Sequence, residues 1–188
     1  MNKQISEHVV LAQAFAEQIP LLERIADALL ACFARGGRVY LIGNGGSAAD
    51  AQHIAAELLG RFKINRRALP AVALTTDTST LTAVGNDLGG DLIFSRQVEA
   101  LVTRNDLLWV LSVSGTSPNI VAAVHAARKN GAGIIGFTGR RGAALAESCT
   151  HCLVVAHEAS DRVQEMHELA YHLICERVEE RAAREHSA

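Results

Sequence analysis

The sequence predicts an α/β fold in three layers, with a five-stranded parallel sheet flanked by helices and an N-terminal helical segment in front of it. Three observations lead there. Short apolar runs alternate with stretches of helical periodicity. The runs lack the strict apolar/polar alternation of a sheet with one wet face, and most are separated by enough chain for the crossover helix that parallel strands need. No linker rich in Pro, Gly or Ser interrupts the pattern, so the 188 residues are expected to form a single domain, with 1–35 as the helical segment and 36–188 as the α/β core.

Taken in order, residues 5–34 put Val9, Leu11, Ala12, Phe15, Ile19, Leu22, Ile25, Ala26 and Leu29 at helix-like spacing. Pro20 is expected to break or kink this run, and Gly36-Gly37 to end it. The candidate buried strands follow at 39–42, 71–74, 107–111, 133–137 and 153–156. Helical patterns occupy 47–62, about 92–101, 117–129 and 161–185.

Composition narrows the function classes. Hydrophobic residues make up 49% of the chain and charged ones 20%, as in a folded protein. Eighteen Lys and Arg against twenty Asp and Glu leave a net charge of -2 with no basic stripe, which argues against nucleic-acid binding. The apolar runs fall well short of the ~20 residues that cross a bilayer. The first residues lack the apolar run of a secretory signal, so a cytoplasmic location with reduced thiols is expected. The four cysteines are Cys32, Cys149, Cys152 and Cys175. Cys149-Thr-His-Cys152 has the spacing of redox and zinc sites, but it lacks a second pair and runs straight into an apolar strand. Buried or strand-entry cysteines are the expectation there.

Two turns carry the chemistry. Residues Arg38-Val-Tyr-Leu-Ile-Gly-Asn-Gly-Gly-Ser47 read as a strand entering a glycine-rich bend and then a helix, which can offer backbone N–H groups and the positive helix end to an anion. The same residues also suit a plain tight turn with Ser47 as N-cap. A dinucleotide fingerprint starts at Gly43-x-Gly45 but meets Ala48 at its third glycine, and Leu74-Thr75-Thr76 stands where an acidic ribose ligand belongs. That argues against NAD, and no Gly-Lys-Ser/Thr of a P-loop follows the bend. The second turn, after the third strand, is Ser112-Val-Ser-Gly-Thr-Ser117 followed by Pro118. It gathers four hydroxyls at one helix N-terminus, more than capping requires, and so suits a sugar phosphate.

On the helix after the first turn, His53 and Glu57 are four residues apart and share a face. Gln164, Glu168 and His172 do the same on the last helix. Such pairs and stripes are also common on solvated faces. Imidazole, carboxylate and amide oxygen together would suit zinc or a similar divalent ion able to polarise a carbonyl or enediolate oxygen. Gln164 and His172 are separated by a rise of about 12 Å, so both reach one ion only by leaning together or by coming from two subunits.

Gly43-Asn-Gly-Gly-Ser-Ala-Ala-Asp50, Gln52-His53 with Glu57, Gly85-Asn-Asp87, Ser112-Val-Ser-Gly-Thr-Ser117 and Asp161-Arg-Val-Gln164 with His172 together resemble the phosphoheptose isomerases of the sugar isomerase (SIS) domain superfamily. The resemblance spans nearly the whole chain and implies the SIS-type three-layer fold. It implies interconversion of D-sedoheptulose 7-phosphate and D-glycero-D-manno-heptose 7-phosphate, the entry to nucleotide-activated heptose for bacterial surface polysaccharide. It further implies a homotetramer with active sites at subunit interfaces and the N-terminal segment used in packing, and one Zn2+ per subunit held by His53, Glu57, Gln164 and His172. Asn44, Gly45, Gly46, Ser47, Glu57, Asn86, Asp87, Ser112, Val113, Ser114, Ser117 and Gln164 would contact the substrate. Val113 replaces the family's threonine and Thr116 its frequent asparagine, so a backbone contact at 113 survives and a hydroxyl contact does not.

Ketose-to-aldose conversion needs a base for the proton beside the carbonyl, a group that holds the enediolate, and an acid for the neighbouring atom. Glu57 is the expected base and His172 its acid/base partner, with Asp87 either positioning a hydroxyl or serving as a turn residue. Two other classes compete: a non-catalytic SIS protein that binds the replication initiator, and a sugar-phosphate sensor. The first lacks the glutamate and terminal-helix histidine that this chain retains, and the second calls for a DNA-binding segment.

Overall fold

A computed structural model describes residues 1–186, apart from the side chains at 143, 185 and 186. The five apolar runs become strands β1 (Val39–Gly43), β2 (Ala71–Ala73), β3 (Leu107–Leu111), β4 (Gly133–Gly139) and β5 (His151–Val155). They form one parallel sheet in the order β2-β1-β3-β4-β5. Every residue of β1 and β3 is buried. Covering both faces explains why these runs are apolar throughout rather than alternating.

The two faces divide the side chains by parity. Val39, Leu41, Leu107, Trp109 and Leu111 enter one core, while Tyr40, Ile42, Leu108 and Val110 enter the other. The first core is closed by α2 (Ile19–Ala34), α3 (Gly46–Leu59) and α8 (Ser160–His186), and the second by α5 (Ser95–Leu101) and α6 (Pro118–Lys129). The remaining helices are α1 (Asn2–Ala14), α4 (Thr78–Asp87) and the short α7 (Ala143–Ala146). Among the described residues no helix is long and apolar enough to cross a membrane.

The structure departs from the sequence reading in several places. The run over 5–34 is two helices joined by a 3₁₀ turn at Phe15–Gln18, and Pro20 sits in the first turn of α2, where it removes no helical hydrogen bond. Leu22, Ile25, Ala26, Leu29, Cys32 and Phe33 of α2 join the same core as the sheet, so the leading segment shares the core. The helix expected over 92–101 is a 3₁₀ turn at Gly90–Leu92 followed by the shorter α5. Helix α4 escaped the sequence reading. Its Thr, Ser and Gly content is a poor helix signal, and none of its residues is buried, so it has no apolar periodicity to detect. Asp77 starts it as N-cap, its carboxylate accepting from the Thr80 N–H at 3.0 Å.

Candidate active site

The strand order creates a crevice. β1 and β3 are neighbours, but the helices that follow them, α3 and α6, cover opposite faces, so their bends part at the carboxyl edge of the sheet. Ligands of open α/β sheets bind at this kind of switch point. Gly45 takes φ +56 at the first bend. The Ser47 N–H donates to the Asn44 carbonyl and the Ala48 N–H to the Gly45 carbonyl, each at 3.0 Å. Those two amides therefore close the turn instead of facing an anion, unlike the fully open cradle the sequence suggests. The Asn44 and Asn119 amides bond reciprocally at 3.0 and 2.9 Å, fastening the two bends together.

In the second bend the Ser112 hydroxyl accepts from the Gly115 N–H at 3.1 Å and the Ser114 hydroxyl from the Thr116 N–H at 3.4 Å. These two oxygens shape the bend and keep their O–H groups to donate. Ser117 is the N-cap of α6 but makes no side-chain cap bond. The Val113 carbonyl accepts from the Gly139 N–H at 3.0 Å.

A cleft of about 320 Å³ opens here, lined by Asn44, Ser47, Ser112, Val113, Ser114 and Ser117 from the sequence prediction. Arg141, Glu158 and Ser160, which no sequence motif marks, also line it. Arg141 donates to Glu158 at 3.2 Å across the mouth. Each of the three stands just beyond the carboxyl end of β4 or β5, so the strand-end rule was the signal that could have found them.

A second cluster lies on the seam between α3 and α8. Asp50, His53 and Glu57 share one face of α3. Gly46 allows α8 to approach, since a Cβ there would lie 2.5 Å from the Gln164 amide. The Gln164 amide nitrogen donates to Asp50 at 3.0 Å. Burial raises the Asp50 carboxyl above its usual range, and the bond from Gln164 opposes that rise.

Farther along the seam, Glu57 is 6% exposed. Its Oε1 stands 3.2 Å from His53 Nε2 and 3.5 Å from His172 Nε2. His53, Glu57 and His172 each present a ligand atom within 4.8 Å of the other two. Glu57 Oε2 is buried without a hydrogen-bond partner, an expensive arrangement for a carboxylate unless a cation joins it. The donor set of two imidazoles and a carboxylate therefore fits a divalent ion such as zinc. His53 Nδ1 lies 2.9 Å from the Tyr171 hydroxyl, which orients the ring with Nε2 towards Glu57. His172 stacks on Phe62 at 5.5 Å with the rings 5° apart.

Asn86 and Asp87 are placed differently. They form the last turn of α4 rather than a loop, are exposed, and bond to each other at 2.7 Å. They do not line the cleft of their own chain.

A serine-lined cleft at the switch point of a doubly wound sheet is an arrangement that takes a small ligand, and the chain matches the SIS domain over residues 6–139. The phosphoheptose isomerase of Desulfovibrio desulfuricans is 52% identical over 162 residues, 86% of this chain and 77% of that protein. The structure of phosphoheptose isomerase from Neisseria gonorrhoeae superposes with a TM-score of 0.88 at 40% identity, covering 94% of this chain and 95% of that one. That of a phosphoheptose isomerase from Francisella tularensis gives 0.91 at 36% identity, covering 95% and 96%. The chain belongs to the SIS domain family and, within it, to the phosphoheptose isomerases. It is an isomerase, which sets aside the initiator-binding and sensor readings.

Proposed function

We propose that the chain interconverts D-sedoheptulose 7-phosphate and D-glycero-D-manno-heptose 7-phosphate through an enediolate, as the first step towards nucleotide-activated heptose. The observation that carries this reading is Glu57, a buried carboxylate with one oxygen between two imidazoles and the other unpartnered. The hydroxyls of Ser112, Ser114 and Ser117 donate to the phosphate in the cleft, with Asn44 and Ser47 beside them. Glu57 takes the proton from the carbon beside the carbonyl and returns it to the neighbouring carbon. His172, which meets Glu57 through Nε2, moves the hydroxyl proton on its other ring nitrogen.

His53, Glu57, Gln164 and His172 would hold zinc, which supplies a Lewis acid for the carbonyl and enediolate oxygens. Gln164 would turn its amide oxygen towards the ion and keep its nitrogen on Asp50. The bare outer face of α1 and α2, with Ile5, Val9, Val10 and Ile19 exposed, supports a homotetramer. Asn86 and Asp87 would then reach substrate in a neighbouring copy's site.

NMR of the purified protein with sedoheptulose 7-phosphate is expected to show the aldose form. Glu57→Gln is expected to lower kcat by at least about 100-fold with substrate binding retained. A fully active Glu57→Gln variant would remove Glu57 from the role of base, and no aldose from the wild type would remove the substrate assignment.

A further inference from the structure

Cys149 and Cys152 take no part in the cleft or in the cluster on the α3/α8 seam. Cys149 lies in the loop before β5, and Cys152 is the second residue of that edge strand, in register with Gly136 of β4. A Cβ on Gly136 would fall 2.5 Å from the Cys149 sulfur and 3.1 Å from the Cys152 sulfur. Both sulfurs thus converge on the one space that glycine leaves open, and they stand closer to each other than those two distances combined. All four cysteines are free thiols, and these two are only half-buried, whereas Cys32 and Cys175 are 0% and 2% exposed. Two thiols three residues apart, converging and reachable from solvent, have what an exchange site requires.

We propose that Cys149 and Cys152 are a redox-active dithiol, converted reversibly to an intrachain disulfide by small disulfides such as glutathione disulfide. Cys152 is the attacking thiol: the Cys149 S–H is held on the Leu145 carbonyl at 3.2 Å, whereas the Cys152 sulfur has only a 3.9 Å contact to the Leu153 carbonyl. The nearness of the two sulfurs lowers Cys152 against the pull of burial and, together with burial, raises Cys149. The Cys152 thiolate attacks one sulfur of the small disulfide, forming a mixed disulfide and expelling one small thiolate. The Cys149 thiolate then attacks the Cys152 sulfur and expels the second. The protein loses two thiol hydrogens as protons and two electrons, and the small disulfide takes up both to become two thiols. The pair sits at the amino end of β5, whereas the cleft opens at the carboxyl end, so its oxidation can be read without reference to turnover.

The test is oxidation of the native protein with glutathione disulfide, followed by alkylation and mass mapping of the peptide carrying both residues. Loss of two hydrogens at Cys149 and Cys152, reversed by dithiothreitol, with Cys32 and Cys175 alkylated only after unfolding, is the expected result. Cys152→Ser should abolish modification of the pair, and Cys149→Ser should trap glutathione on Cys152. Four free thiols after exposure to excess oxidant would overturn the proposal. So would stable glutathione on wild-type Cys152, since Cys149 would then have failed to resolve it.

Discussion

Glu57 and His167 show two fates for an ionisable side chain in this interior. The i,i+4 spacing of His53 and Glu57 was legible in the sequence, but not their depth, because the same spacing is common on wet helices. What buries Glu57 is α8, which arrives more than a hundred residues later with His172. His167, on the same helix, is 0% exposed, and neither ring nitrogen has a hydrogen-bond partner. Its ring lies 5.4 Å from Phe137. Burial pushes its pKa down from 6.5 to about 4. The unfolded chain therefore binds a proton that the folded one refuses, and stability is lost as pH falls from about 6.5 to about 4. The loss is expected to approach about 3 kcal/mol. Urea unfolding at pH 7 and pH 5 checks this, and His167→Leu should flatten that part of the dependence.

At the scale of elements, the end of α3 is fixed by a buried ion pair that the sequence did not announce. The side chains of Arg66 and Glu179 are each 1% exposed, with Arg66 Nε 3.5 Å from Glu179 Oε1. The Arg66 guanidinium donates to the carbonyls of Glu57, Leu58 and Gly60 where α3 stops. Glu179 accepts from the N–H groups of Phe62, Lys63 and Ile64 at 2.8, 2.6 and 2.8 Å. Burial would raise its carboxyl, but these bonds and Arg66 hold it below the usual range. The knot keeps Phe62 against His172. Glu179→Ala is expected to cost about 3–5 kcal/mol, as when one partner of a buried pair is removed. A shifted denaturant midpoint, with a smaller shift for Glu179→Gln, is the measurement.

The same scale explains what was legible. The central strands are buried on both faces and the edge strands β2 and β5 keep apolar residues even where Val72 and Val154 are exposed, so all five runs are legible, with ends differing by a residue or two. Helix α4 has no buried face and gave no signal, which is why Asn86 and Asp87 read as a turn. The serine and glycine bends were legible because few other residue types make such turns. Arg141 and Glu158 were not, because a charged pair looks like ordinary surface until a sheet edge gathers it.

For the whole molecule, alternation of strands and helices foretold the layers, and pairing partners came only from the structure, since sheet order is a matter of contacts distant in sequence. Ile5, Val9 and Val10 stand 63%, 45% and 64% exposed on a helix with no buried residue. Ile5→Lys with Val9→Lys is expected to reduce the proposed homotetramer to smaller species, as read by sedimentation velocity, with little change in far-UV circular dichroism. Unchanged mass would place the packing surface elsewhere. The reciprocal Asn44–Asn119 amide pair has a consequence for descent. Each asparagine satisfies both the donor and the acceptor of the other, so replacing one alone leaves its mate to water and unfastens the two bends. Drift at the two positions should be correlated, and lineages of this protein should carry both amides or neither.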